Sequence, residues 1–191
     1  EAGVTRVVAA MTDPNPLVAG RGLALLQDAG ISVTSGVLAE QAQQLNPEFL
    51  FKMQQQRPLV RLKLAASLDG AVALANGQSK WLTGEQARAD VQAYRARSCA
   101  ILSTAETVKT DKATLTVRRD DLNRLESGEL RQPLRVILDR RCRLTGHEPL
   151  FYTGGDIVLV HCGEPSSWPD LELPSELPRQ VQRWRIGLDE V

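Results

Sequence analysis

The sequence predicts an α/β protein whose sheet is mostly parallel. Short runs rich in β-branched and aliphatic residues, such as residues 134–138 and 157–160, have the composition of buried strands. Segments with helical spacing lie between such runs, and glycine and proline mark many of the boundaries. Strands that alternate with helices build parallel sheets, and ligands bind at the carboxyl ends of their strands. A binding site is therefore expected at that edge of the sheet.

The first part of the chain, residues 1–57, is predicted to be a strand–helix–strand unit followed by a helical linker. Residues 6–11 are an apolar run typical of a buried strand, and a turn with two prolines follows it. A short helix then stops at Gly30, and the next residues alternate as a second strand. Residues 38–56 have helical spacing interrupted at Pro47, which predicts two short helices or a kinked one. A βαβ unit of this length is expected to be the end of a domain.

The second part, residues 58–191, is predicted to begin with a half-buried strand. Apolar and basic residues alternate over residues 59–66, which is the period of a strand with one face in a core. A turn is expected at residues 67–70, where Asp precedes Gly, and a second short strand at residues 71–75.

A helix is predicted next, with Thr83 and Gln86 as its capping box and with Ala87, Val91 and Tyr94 on its inner face. It is expected to run to about residue 97. The later elements are predicted to be four strands and one proline-rich loop: strands 99–102, 134–138, 157–160 and 181–186, and loop 164–178.

Composition and charge argue against several classes of function. Lys and Arg total 23 and Asp and Glu total 23, so no net positive field draws nucleic acid or an anionic membrane. No apolar run approaches the ~20 residues that span a bilayer. The three cysteines are odd in number and far apart, which favours reduced, partly buried thiols in a cytoplasmic protein. His147 and His161 have no ligand partners at metal-binding spacing and are predicted to be structural or exposed.

Several motifs between Lys63 and Arg118 occur in a specific order: Lys63-Leu-Ala-Ala-Ser67-Leu-Asp69-Gly70, Gly77-Gln-Ser79-Lys-Trp81-Leu-Thr83, Arg95, Thr107 with Asp111, and Leu115-Thr-Val-Arg118. Together they resemble the reductase domain of the bifunctional riboflavin-synthesis deaminase–reductases, the RibD family. The segment from Asp13 to Gly22 resembles the end of the deaminase domain in the same family. The similarity covers nearly all of residues 1–145.

The resemblance implies both a fold and an activity. It implies an incomplete dihydrofolate-reductase-like reductase domain, preceded by the C-terminal βαβ end of a cytidine-deaminase-like domain. The implied reaction is the NADPH-dependent reduction of the ribose of 5-amino-6-(5-phosphoribosylamino)uracil to the ribityl form, in a parent protein that also deaminates the pyrimidine precursor. The expected partner is this phosphorylated pyrimidine, with no nucleic acid or membrane, and a homodimer is expected.

The resemblance also implies site residues, position by position. Those expected to contact the substrate of the reductase are Ser79, Arg95, Leu115 and Arg118. Those expected to line the nicotinamide cofactor are Ala65, Trp81, Thr107 and Asp111. Asp13 and Asn15 are expected to touch the substrate of the deaminase, and Lys63 is the catalytic candidate.

Each assignment has a plainer alternative. Arg95 and Arg118 suit a sugar phosphate because a guanidinium matches phosphate oxygens bidentately, but they can equally be solvated arginines. Lys63 can stabilise negative charge as hydride arrives, or it can face water. The Trp81 indole can pack on a cofactor or, more commonly, in a core. Asp69 is by default a turn residue. The sequence does not separate a cofactor role of Thr107 and Asp111 from the capping of a turn.

Three features depart from the family pattern. Lys112 and Ala113 stand where Asp-Pro is usual, and Arg140 replaces a frequent serine near the cofactor, where it can meet the extra phosphate of NADPH. The His-x-Glu and Pro-Cys-x-x-Cys zinc motif is absent, so no catalytic zinc is expected in these residues, only in the missing part of the deaminase. A later glutamate-and-glycine segment is expected beyond Val191, and both ends of the sequence are interpreted as cut.

Two rival functions stay open from the sequence. One is a non-catalytic or oligomerising fragment, in which the sheet survives and the site does not. The other is a different dihydrofolate-reductase-like enzyme acting on a pterin or another pyrimidine, since fold alone does not determine the substrate.

Overall fold

The computed structural model describes residues 3–122, 125–173 and 180–187. The chain forms two compact units, Glu1–Leu64 and Ala65–Val191. The predicted domains, in contrast, divide after residue 57. No helix within the described ranges is long and apolar enough to cross a membrane.

The first unit contains two short parallel strands and three helices. Strands β1 (Arg6–Ala9) and β2 (Ser32–Ser35) pair in parallel, and helix α1 (Arg21–Asp28) connects them. Helices α2 (Ala39–Leu45) and α3 (Pro47–Gln55) follow. A proline lacks the N–H that continues a helix but fits its first turn, which explains why α3 begins at Pro47. The βαβ unit and the broken helix pair confirm the prediction.

The second unit is built on a four-stranded parallel sheet. Its strands lie in the order β3-β4-β5-β6, with all three pairings parallel. The helices and strands of this unit, in chain order, are α4 (Glu85–Arg97), β3 (Ala100–Thr104), α5 (Ala105–Asp111), β4 (Leu134–Leu138), β5 (Ile157–His161) and β6 (Val181–Arg185). All five residues of β5 are buried, as expected for an inner strand of a parallel sheet. The predicted α/β class with a parallel sheet is confirmed.

The core of this unit lies against one face of the sheet. Apolar side chains of α5, of the 3₁₀ turn Pro149–Tyr152 and of the loop before β4 pack on β4 and β5. The fully or nearly buried members of this cluster are Ala105, Val108, Leu115, Ile137, Leu144, Leu150, Phe151, Ile157 and Leu159. Helix α5, which the sequence analysis did not predict, is thus an integral part of the core.

Two predicted strands are absent from the structure. Residues 59–66 and 71–75 belong to no ladder, and the side chain of Leu62 is 83% exposed. A strand is stable only when a neighbouring strand satisfies its backbone groups, and no described segment does this here. The predicted turn between them does form, since the Gly70 N–H donates to the Ser67 carbonyl at 2.9 Å.

Helix α4 differs from its prediction at its start and on its inner face. Its N-cap is Gly84 with no side-chain cap, so the predicted capping box is wrong. The Thr83 carbonyl instead accepts a hydrogen bond from the Arg88 guanidinium. The buried side chains are Gln92 and Ala96, not the predicted apolar trio, because the inner face binds the backbone of a neighbouring loop.

The predicted burial of the cysteines and the predicted loop over residues 164–178 can also be compared with the structure. Cys99 is exposed rather than partly buried, whereas Cys142 and Cys162 are partly buried and reduced. The predicted loop over residues 164–178 contains a 3₁₀ turn at Pro165–Ser167, and its residues from 174 onward lie outside the described ranges.

Candidate functional site

The two arginines predicted to bind a phosphate lie in one region of the second unit, where the Arg95 guanidinium binds the backbone two residues before Arg118. Arg95 is on the last turn of α4, and Arg118 ends an extended segment before β4. The Arg95 guanidinium donates to the Thr116 carbonyl at 3.0 Å. Burial, reinforced by the positive charge of Arg118, lowers the pKa of Arg95. Arginine stays protonated in proteins, so the two groups are like charges held at close range.

Neither charge of this arginine pair is neutralised within the described residues. Neither guanidinium forms an ion pair there, whereas the adjacent Arg119 is paired with Asp121. Two neighbouring guanidiniums without a carboxylate are electrostatically unfavourable unless an anion binds between or beside them. Their forked donors suit the oxygens of a phosphate group. The pair is therefore chemically suited to bind a phosphate ester.

Residues 114–118, which carry Arg118, are referred to here as the arginine segment. It has no strand partner, and side chains bind its backbone instead. Gln132 binds both the N–H and the carbonyl of Val117, at 2.8 and 3.1 Å, and Gln92 accepts the Arg118 N–H at 2.8 Å. Arg135 of β4 donates to the Thr114 carbonyl at 3.2 Å. The sequence analysis missed these three side chains, because only the fold brings such distant residues together.

Leu115, a predicted substrate residue, has its side chain in the core cluster. Its φ is 58°, in the left-handed region that is uncommon for a residue with a Cβ. In the described structure, the Leu115 side chain packs inside the domain, and this anchors the arginine segment.

Ser79 and Trp81 lie in an irregular, exposed stretch before α4. Both side chains are exposed, Trp81 by 70%, so the plainer expectation of a core tryptophan is wrong. The Arg88 guanidinium lies 4.6 Å from the centroid of the Trp81 indole, within the range of a cation–π contact. An exposed indole next to a cation is suited to stacking on a flat, anionic ligand.

Thr107 and Asp111 lie one turn apart on α5, directly after β3. The Thr107 N–H donates to the Thr104 hydroxyl at 3.3 Å, and the two hydroxyl oxygens are also 3.3 Å apart. Asp111 is the last residue of the helix and is exposed. Residues spaced by four lie on the same face of a helix, so this face presents a hydroxyl and a carboxylate near the carboxyl end of β3.

The carboxyl ends of β4 and β5 carry a second polar group, which is structural. The buried Asp139 carboxylate accepts the N–H groups of Arg143 and Leu144 at 2.9 and 3.0 Å. His161 is also buried; its Nδ1 is 2.7 Å from the Asp139 carbonyl, and its Nε2 accepts from Arg183 at 3.2 Å. This agrees with the structural role predicted for His161. Arg140 is exposed in the turn after β4.

The remaining candidates are divided between the two units. Lys63 belongs to the first unit and is exposed, whereas the half-buried Ala65 is the first residue of the second. Asp13 accepts the Asn15 N–H at 2.8 Å, and Asn15 accepts the Leu17 N–H at 3.0 Å, so both form Asx turns. Asp13 also lines a cleft of about 430 Å³ in the first unit.

This chain is similar to a group of riboflavin-synthesis proteins. A family model described as the RibD C-terminal domain matches residues 58–168. The riboflavin biosynthesis protein RibD of Haemophilus influenzae is 51% identical over 204 residues, covering 98% of this chain and 55% of that protein. Its counterpart in Escherichia coli is 46% identical over 175 residues, covering 88% and 48%.

Solved structures give the same result. The diaminohydroxyphosphoribosylaminopyrimidine deaminase/5-amino-6-(5-phosphoribosylamino)uracil reductase of Thermotoga maritima matches with a TM-score of 0.76 at 33% identity, over 95% of this chain and 47% of that one. Acinetobacter baumannii RibD matches with a TM-score of 0.75 at 36% identity, over 95% and 55%. The chain spans about half the length of these relatives.

Proposed function

Since this chain belongs to the RibD family, we propose that it supplies part of an NADPH-dependent reductase acting on 5-amino-6-(5-phosphoribosylamino)uracil. The observation that carries the proposal is the Arg95–Arg118 pair, which forms no ion pair within the described residues and suits the phosphate of such a substrate. The reaction reduces the attached ribose to a ribityl chain.

The arginine pair binds and orients the substrate in this proposal. Bidentate contacts to the phosphate anchor one end of the ribose and limit its rotation relative to the reacting carbon. Arg95 is already held by the Thr116 carbonyl, so part of its conformational entropy is lost before the ligand arrives. Ser79, exposed in the stretch before α4, is the further candidate for contact with the substrate.

The second unit also has donors and acceptors that fit a dinucleotide. Thr107 and Asp111 offer a hydroxyl and a carboxylate on one face of α5, which suits the hydroxyl groups of a ribose. The exposed Trp81 offers an aromatic face, and Ala65 a small surface nearby in sequence. These residues would hold NADPH, which would supply the hydride that reduces the anomeric carbon of the ribose. Lys63 is the proposed group that stabilises the developing negative charge.

Residues 1–57 are proposed to be the C-terminal part of a deaminase domain together with a helical linker. Asp13 and Asn15 are then contacts to the pyrimidine precursor. Within the described residues no group of three or more His, Cys, Asp and Glu side chains is arranged to hold a metal ion. A cytoplasmic homodimer is proposed for the whole protein.

The proposal is tested by following NADPH oxidation with the full-length protein and the deaminated, phosphorylated substrate. Oxidation that depends on the substrate, together with formation of the ribityl product, supports it. No oxidation above the rate without protein, with a folded sample confirmed by circular dichroism, refutes it. NADH at the same concentration then measures the preference between the two cofactors.

A further inference from the structure

The backbone around Arg118 is held by two glutamine side chains rather than by a neighbouring strand. The Gln132 amide binds Val117 on both sides, with its oxygen accepting the N–H at 2.8 Å and its nitrogen donating to the carbonyl at 3.1 Å. The Gln92 oxygen accepts the next N–H, that of Arg118, at 2.8 Å. Three consecutive polar groups of the arginine segment are thus fixed by side-chain amides.

Burial makes these contacts strong constraints. Gln92 is only 8% exposed, and Gln132 is partly buried. A buried amide that loses its partner has no water to replace it, so such hydrogen bonds are costly to break. The contacts therefore hold Val117 and Arg118 in one backbone conformation.

Helix geometry links the same contacts to the second arginine. Gln92 and Arg95 are three residues apart on α4, so they share a face of the helix. On this face, Gln92 binds the Arg118 N–H while Arg95 binds the Thr116 carbonyl. A single helix therefore binds the Arg118 backbone and carries the Arg95 guanidinium.

We propose that Gln92 and Gln132 are positioning residues that hold Arg118 beside Arg95 for binding of a phosphate ester. The inference rests on the proposed function, because it assigns the phosphate to this pair. Fixing the backbone at residues 117–118 limits the directions in which the Arg118 side chain can point from its Cα atom. Less conformational freedom is then lost when the phosphate binds.

The test is a double-mutant cycle in the full-length protein. Gln92→Met and Gln132→Met keep the approximate size of the side chain and remove the amide. Each is expected to raise the KM for the phosphorylated substrate, and the dissociation constant for ribose 5-phosphate, about tenfold, the effect of one charge-assisted hydrogen bond. The KM for NADPH is expected to stay unchanged. In an Arg118→Met background, either change is expected to have little further effect.

A core variant separates positioning from lost stability. Val158→Ala, in the buried strand β5 and outside the core cluster that contains Leu115, lowers stability and is expected to leave both constants unchanged. The inference would be overturned if the glutamine changes weakened binding of the phosphorylated substrate and ribose 5-phosphate equally in the wild-type and the Arg118→Met backgrounds. It would also be overturned if both glutamine variants kept the wild-type KM and dissociation constant.

The same measurements distinguish a failure of the proposed reductase function from a failure of the positioning inference. If the wild-type protein does not oxidise NADPH but binds ribose 5-phosphate, the cycle measured on binding alone still decides the role of the glutamines. If the folded wild-type protein does not bind ribose 5-phosphate, the positioning inference itself is wrong.

Discussion

Arg135, at the second position of β4, is fully buried and binds backbone oxygens from three directions. Its guanidinium donates to the carbonyls of Thr114, Leu150 and Gly155, and to both the hydroxyl and the carbonyl of Thr153. The side chain therefore connects the arginine segment with the part of the chain that runs from the 3₁₀ turn Pro149–Tyr152 to β5.

Replacement of Arg135 by methionine is expected to destabilise the fold. The change leaves several buried carbonyls without a donor, and a loss of about 2–4 kcal/mol in the free energy of unfolding is expected. Denaturant titration followed by circular dichroism measures it. Arg131→Met is the matched control, because Arg131 is only partly buried and donates to two carbonyls, those of Ala96 and Ser98. Equal losses in the two variants would contradict this role of Arg135.

The three cysteines are expected to differ in reactivity. Burial, reinforced by the charge of Asp139, raises the pKa of the Cys142 thiol, so less of it is thiolate at any pH below that pKa. Since the thiolate is the nucleophile, Cys142 should react slowly. Mass spectrometry after brief iodoacetamide treatment at neutral pH is expected to find the exposed Cys99 labelled first. Faster labelling of Cys142 than of Cys99 would contradict the described burial of Cys142.

At the scale of elements, the loop after β4 depends on a glycine. Gly146 has a φ of 104°, and a Cβ there would lie 2.4 Å from the Glu172 carbonyl oxygen. The two chain segments also share a hydrogen bond of 2.9 Å from the Glu172 N–H to the Thr145 carbonyl. This close backbone approach leaves no space for a side chain, and the positive φ adds strain to any other residue.

Gly146→Ala is accordingly expected to lower the melting temperature clearly. A cost of more than about 1 kcal/mol is expected, since both sterics and φ oppose the change. Gly154→Ala is the control, because its nearest foreign atom is 3.9 Å from the added Cβ and its φ is not positive. Thermal unfolding of the two variants compares them directly. A melting temperature equal to that of wild type for Gly146→Ala would contradict the described loop.

The elements that could be predicted are those whose sequence pattern is local. Strands β4 and β5 are rich in β-branched residues, and the break before α3 follows from the chemistry of Pro47. Residues 59–66 have an equally clear strand pattern but lack a partner, and pairing is not encoded within a single segment. Helix α5 escaped prediction because its seven residues are too few for a visible period.

At the scale of the whole molecule, the resemblance named candidate site residues but not the residues that surround them. Arg95 and Arg118 were both named from the sequence, and in the structure the Arg95 guanidinium binds the backbone two residues before Arg118. The glutamines that hold Arg118 are 26 and 14 residues from it in the chain, so no motif includes both partners. Lys63 and the arginine pair belong to different units, so their joint role in one site stays a proposal.

The most direct test of the account compares a phosphorylated and a dephosphorylated substrate in the full-length protein. Wild type is expected to favour the phosphorylated form in kcat/KM, and Arg118→Met is expected to reduce that preference at least about tenfold by removing one guanidinium fork. Arg119→Met, which removes the neighbouring arginine paired with Asp121, is expected to leave the preference unchanged. A preference that is the same in wild type and Arg118→Met would contradict the assignment of the arginine pair to the phosphate.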